Sequence, residues 1–124
     1  MADLKEIGKQ AKAARYILAG LDTDTKNKAL FTAAKCLEAD AADILAENAK
    51  DLEAGRSRSM PEGLLHRLSL TQKRISDMAE GLRQVAALPD PVGEILDTFT
   101  RPNGLVISKR RVPFGVIGII YESR

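Results

Sequence analysis

Near its C-terminus the chain carries Phe114-Gly-Val-Ile-Gly-Ile-Ile-Tyr121, a run without a charged residue. A near-continuous apolar run of this length reads as a strand buried on both faces, as in the parallel sheets of α/β proteins. Such a strand needs neighbours on both edges and helices above and below. Parallel pairing takes a crossover of about a dozen residues or more, yet only Glu122, Ser123 and Arg124 follow. Burying Val116, Ile117, Ile119, Ile120 and Tyr121 at about 2 kcal/mol each comes to ~10 kcal/mol. That equals the whole stability of a typical domain. Left exposed, the same residues form an aggregation-prone strand. We therefore expect the N-terminal part of a longer α/β protein, although 124 residues would suit one domain by length.

Composition excludes several function classes. With 44% hydrophobic and 29% charged residues the chain is globular in character, not disordered. Aromatics make up 4% and Trp is absent, which argues against stacking platforms for single-stranded nucleic acid. A net charge of +2 demands no polyanionic partner. One Cys and one His exclude an internal disulfide and cannot close a zinc site. The segment Met1-Ala-Asp-Leu-Lys-Glu6 has no apolar run behind it, so no secretory signal is read. No stretch approaches the roughly 20 apolar residues of a membrane span. The expected compartment is the cytoplasm.

The chain changes character near Pro89-Asp90-Pro91. Before it, helical spacing dominates. Leu4, Ile7, Ala11, Ala14 and Leu18 predict a helix from about Asp3 to Ala19, stopped at Gly20. Asp22-Thr23-Asp24 offers N-caps for a second helix that buries Ala29, Leu30, Ala33 and Leu37. Asp40 is expected to cap a third, carrying Ile44, Leu45, Asn48 and Leu52 and ending around Gly55. After the loop Arg56–Ser59, Pro61 is expected at the first position of a short helix. Thr71 caps a fifth, with Ile75, Met78, Ala79, Leu82 and Val85 as its core stripe, and Pro89 forbids its continuation.

Beyond the prolines, Gly93–Thr100 and Leu105–Val112 predict a hairpin around Arg101-Pro-Asn-Gly104. Alternation is poor. Asp97 is placed on one face with Ile95 and Phe99, and Lys109 and Arg111 on one with Leu105 and Ile107. Neither face is cleanly apolar, which predicts a projecting arm that docks elsewhere, since a lone hairpin is marginal in water.

Leu88-Pro-Asp-Pro-Val-Gly-Glu-Ile-Leu-Asp97, Thr100-Arg-Pro-Asn-Gly-Leu105 and Arg110-Arg-Val-Pro-Phe-Gly-Val-Ile-Gly-Ile-Ile-Tyr-Glu-Ser-Arg124 closely resemble γ-glutamyl phosphate reductase, of the aldehyde dehydrogenase superfamily. Ile44–Leu52 and Leu65–Thr71 fit the same family. The resemblance covers the whole chain but about the first third of a family member. It implies an α/β, aldehyde dehydrogenase-like full protein. In that protein residues 1–88 are the helical start of the cofactor-binding domain. Residues 92–112 are a β-hairpin arm for homo-oligomer assembly, and residues 113–124 are the first strand of a Rossmann-like sheet. The implied reaction is NADPH-dependent reduction of L-glutamate 5-phosphate to the 5-semialdehyde, in proline biosynthesis. A Cys thiolate attacks the acyl phosphate, phosphate leaves and hydride reduces the thioester.

By this resemblance Ile120, Tyr121, Glu122, Ser123 and Arg124 form the C-terminal end of that strand, where open α/β sheets bind ligands. Ile120 and Tyr121 are expected at the nicotinamide. The nucleophilic Cys lies beyond Arg124; no catalytic residue and no metal ligand is assigned within this chain. Cys36, inside the second helix beside Ala33 and Leu37, reads as an inert helix residue. His66 stands where relatives have an Asp and reads as a surface or capping residue. The loop Arg56–Ser59 departs from the family, which tends to have a Gly before the short helix. Gly115 and Gly118 lack the spacing of a phosphate loop, and close approach by a packed helix is expected instead.

Two rival readings stand beside this one. A non-enzymatic helical interaction module accounts for the first 88 residues and fails at the apolar run. A nucleic-acid binder would use Lys109, Arg110 and Arg111 with Arg56, Arg58 and Arg67. Against it, the strand cations alternate faces and acids are spread through the helices.

Overall fold

A computed structural model describes residues 3–120. Five helices precede one antiparallel hairpin: α1 Leu4–Ala19, α2 Thr23–Ala39, α3 Ala41–Ser57, α4 Glu62–Leu68, α5 Gln72–Ala86, β1 Ile95–Thr100 and β2 Val106–Arg110. They fall into two compact units, Asp24–Leu88, and Met1–Thr23 with Pro89–Arg124. No helix among the described residues is long and apolar enough to cross a membrane.

In the helical unit Ala34, Ala41, Leu65, Ile75, Ala79 and Ala86 are buried, together with Gly55. Ile75 is the one large side chain among them that is fully enclosed. Small residues at the contacts let the helices approach closely. A Cβ at Gly55 would stand 2.9 Å from Leu65 Cδ2, which explains why glycine occupies the α3–α4 crossing. The helix therefore runs past Gly55 to Ser57 instead of stopping there.

Asn48 joins α3 to the α4–α5 connection. Its Nδ2 donates to the Leu68 carbonyl at 3.0 Å, and the Leu70 amide donates to its Oδ1 at 2.7 Å. Thr71 caps α5 as expected, its hydroxyl accepting from the Arg74 amide at 3.1 Å. Arg74 Nη1 reaches back to the His66 carbonyl at 2.9 Å and to the Ser69 carbonyl, covering the open C-terminus of α4.

Several expectations need correction in detail. The buried residue of α2 is Ala34, with Leu30 and Leu37 half-buried, while Ala29 and Ala33 are exposed. Asp40 makes no side-chain cap. Its amide already donates to the Cys36 carbonyl and its carbonyl accepts from the Ile44 amide, so α2 passes into α3 with no open turn to cap. Pro61 is the residue before α4, not its first. On α5, Met78 and Val85 are exposed, and Ala86 is buried in their place.

In the other unit, Asp3 caps α1 by accepting from the Lys5 amide at 2.9 Å. Gly20 ends the helix, but no residue of α1 is buried. Its apolar stripe is open, Leu4 being 81% exposed. The hairpin turn forms as expected. The Gly104 amide donates to the Arg101 carbonyl at 2.9 Å, and Gly104 takes φ +86°, a conformation that favours glycine.

Candidate functional site

The hairpin register pairs Ile95 with Arg110, Asp97 with Lys109, Thr98 with Ser108, Phe99 with Ile107 and Thr100 with Val106. An irregularity between Ile95 and Asp97 leaves Leu96 as an extra residue. Simple alternation placed Ile95 beside Asp97. The bulge moves Ile95 to the opposite face, with Thr98, Thr100, Val106, Ser108 and Arg110. Asp97, Phe99, Ile107 and Lys109 form the other. Both faces still mix apolar and polar groups, and every residue of the two strands is exposed except half-buried Ile107.

Acids stand against two of the arm's cations. Lys109 stands opposite Asp97, and Arg111 Nε lies 2.8 Å from Glu94 Oε2. The Arg101 guanidinium sits 5.7 Å from the centre of the Phe99 ring. Such pairing leaves no coherent basic stripe for nucleic acid. At the root the ladder continues past β1: the Gly93 amide donates to Arg111 at 3.0 Å and the Arg111 amide to Glu94 at 2.9 Å.

After Arg111 the chain runs to Ile120 without helix or strand. The strand expected from Pro113 has no ladder partner among residues 113–120. Its physical requirement is edges to pair with, and the described residues supply none. Phe114 is 98% and Ile120 103% exposed, with Ile117 and Ile119 also open. Gly115 has φ +93°, a value closed to ordinary strand residues. That conformation favours glycine here, and an added Cβ would also stand 3.7 Å from Arg15 Cδ of α1, in ordinary contact. At Gly118 an added Cβ would meet open space.

Of the five expected cofactor-binding residues, Ile120 is described and presents its whole side chain to solvent. Tyr121, Glu122, Ser123 and Arg124 lie outside the described residues.

Nothing else in the described chain resembles a reaction centre. Cys36 is exposed on α2. No group of three or more His, Cys, Asp or Glu among the described residues could hold a metal ion. A groove of about 620 Å³ runs along α2, lined by Asp24, Lys28, Phe31, Lys35 and Arg83 among others. Its Arg83 is already engaged: Nη1 and Nη2 donate to the two oxygens of Glu38 at 2.9 and 2.5 Å. That bidentate hydrogen bonding holds the Glu38 carboxyl below its ordinary pKa and raises that of Arg83.

No family model matches the chain. Among curated proteins it is 56% identical over 121 residues to the gamma-glutamyl phosphate reductase of Syntrophomonas wolfei, covering 98% of this chain and 29% of the relative. It is 61% identical over 114 residues to that of Neisseria meningitidis, covering 92% and 27%. Among solved structures, the gamma-glutamyl phosphate reductase of Thermotoga maritima matches with a TM-score of 0.87 at 38% identity, over 90% of this chain and 27% of that one. The Saccharomyces cerevisiae enzyme of the same name gives 0.79 at 28% identity, over 87% and 28%. The chain thus spans under a third of the length of each relative. Its homologues are gamma-glutamyl phosphate reductases, and what it matches in them is their N-terminal portion.

Proposed function

We propose that the chain serves as the N-terminal part of a gamma-glutamyl phosphate reductase, an oxidoreductase that converts L-glutamate 5-phosphate to L-glutamate 5-semialdehyde in proline biosynthesis. One observation carries this reading. Identity above 50% extends over nearly the whole chain while covering 29% of the relative. The proposed compartment is the cytoplasm.

In this reading residues 1–88 are the N-terminal helical part of the cofactor-binding domain, residues 92–112 form the assembly arm and residues 113–124 open the dinucleotide-binding sheet. NADPH is the proposed cofactor, and it would supply the hydride. Ile120 fits a wall for the nicotinamide ring: it is apolar and fully exposed at the end of the run. Tyr121, Glu122, Ser123 and Arg124 complete the proposed cofactor edge. The nucleophilic thiolate comes from outside this chain. Cys36 is not assigned the role, since it stands exposed on a helix.

Reductive turnover of glutamate 5-phosphate, followed at 340 nm, tests the assignment. A full-length protein containing this segment should consume NADPH, and the 124-residue chain alone should not. Turnover by the isolated chain would overturn it. For the arm, deletion of Glu94–Arg110 from the full-length protein should dissociate its oligomer.

A further inference from the structure

The hairpin arm is joined to the rest of its unit through Pro89-Asp90-Pro91, and the Asp90 side chain is bonded on both sides. Its Oδ1 accepts from the Val92 amide at 3.0 Å. Its Oδ2 accepts from Thr23 Oγ1, 67 residues away in sequence, at 3.0 Å. From Val92 outward the hydrogen bonds are continuous. The Glu94 amide donates to Pro91 at 3.3 Å, and Gly93 and Glu94 are paired with Arg111 at the start of the ladder. The prolines on either side fix φ at residues 89 and 91. Little backbone freedom therefore remains between Asp90 and the arm. What remains is the direction in which Asp90 itself points.

We infer that Thr23 and Asp90 form a clasp that sets the direction of the β1–β2 arm, with Asp90 as a positioning residue for assembly. Proline cannot donate a backbone hydrogen bond, so Pro89 and Pro91 cannot hold this root through their own amides. The carboxylate takes that task, one oxygen facing each way. Serine or threonine at residue 23 supplies the donor equally well. The assembly part of this inference rests on the proposed role of the arm.

The test uses the full-length protein, with Thr23→Val, Asp90→Ala, their double variant and Thr23→Ser. Amide hydrogen exchange reports the root directly. Asp90→Ala should speed exchange at Val92 roughly fivefold, the scale of one net hydrogen bond. Thr23→Val should leave Val92 and Arg111 protected, because Asp90 and the ladder still hold them, while broadening the distances between paired spin labels on α1 and on the turn of the arm. Either single variant should weaken the oligomer roughly fivefold in sedimentation, the double no further, and Thr23→Ser should behave as the parent. If the arm deletion dissociates the oligomer but neither single variant changes it, the clasp is wrong. If the arm deletion itself leaves the oligomer intact, the assembly role fails instead. The clasp then stands on the label distances in Thr23→Val, and an unchanged distribution there overturns it.

Discussion

Arg83 on α5 holds Glu38 on α2 by both terminal guanidinium nitrogens, across 45 residues of sequence. The carboxyl is held below its ordinary value near 4.5 by this hydrogen bonding. A depressed acid pKa contributes stability that is complete above the unfolded value and fades as pH falls through the folded one. Glu38→Gln should therefore lower the urea midpoint at pH 7 relative to the parent. The gap should close as pH falls below about 4.5. A gap that persists undiminished at pH 2 would show that charge plays no part in it.

The open run from Phe114 to Ile120 should make the isolated chain self-associate. Ile117 and Ile119 are exposed by 68% and 76%, and an uncovered apolar segment of high β-propensity is an aggregation site. Ile117→Lys with Ile119→Lys should yield a monomer in size-exclusion chromatography without altering the helical circular dichroism. A parent chain that is already monomeric at high concentration would contradict this.

Asn48 is buried with both ends of its amide engaged. Asn48→Ala in the soluble variant should cost about 2–3 kcal/mol, because it orphans a carbonyl and an amide together. Asn48→Asp keeps an acceptor for Leu70 but turns an oxygen toward the Leu68 carbonyl, so it should rescue little. Chemical denaturation measures both.

Ser59 adopts φ +54°, in the left-handed region. Ser59→Gly should stabilise the chain by about 0.5–1 kcal/mol, since glycine carries no Cβ penalty there. A lower melting temperature for the variant would mean that the Ser59 side chain makes up for its strain.

Helix positions were legible because apolar spacing and caps such as Asp3 and Thr71 act locally. Which alanine faces the core was not. Ala29, Ala33 and Ala34 differ in nothing but the rotation of α2, and that is set by its neighbours. The Leu96 bulge was likewise unreadable, since any residue fits an extra position and only the partner strand shows it. Of the site, sequence pointed to the terminal run as needing cover, and the exposed side chains agree. The Asp90–Thr23 bond carried no sequence signal. It joins residues 67 apart, and each alone reads as an ordinary turn or cap.

Connections between helices usually absorb insertions and deletions readily. The one between α4 and α5 should not. Asn48 grips the Leu68 carbonyl and the Leu70 amide at once, and Arg74 binds the Ser69 carbonyl between them. These grips act as a gauge of loop length. One residue more or fewer between Leu68 and Thr71 would release several buried or half-buried polar groups together, so relatives should vary in the chemistry of this connection and hardly at all in its length.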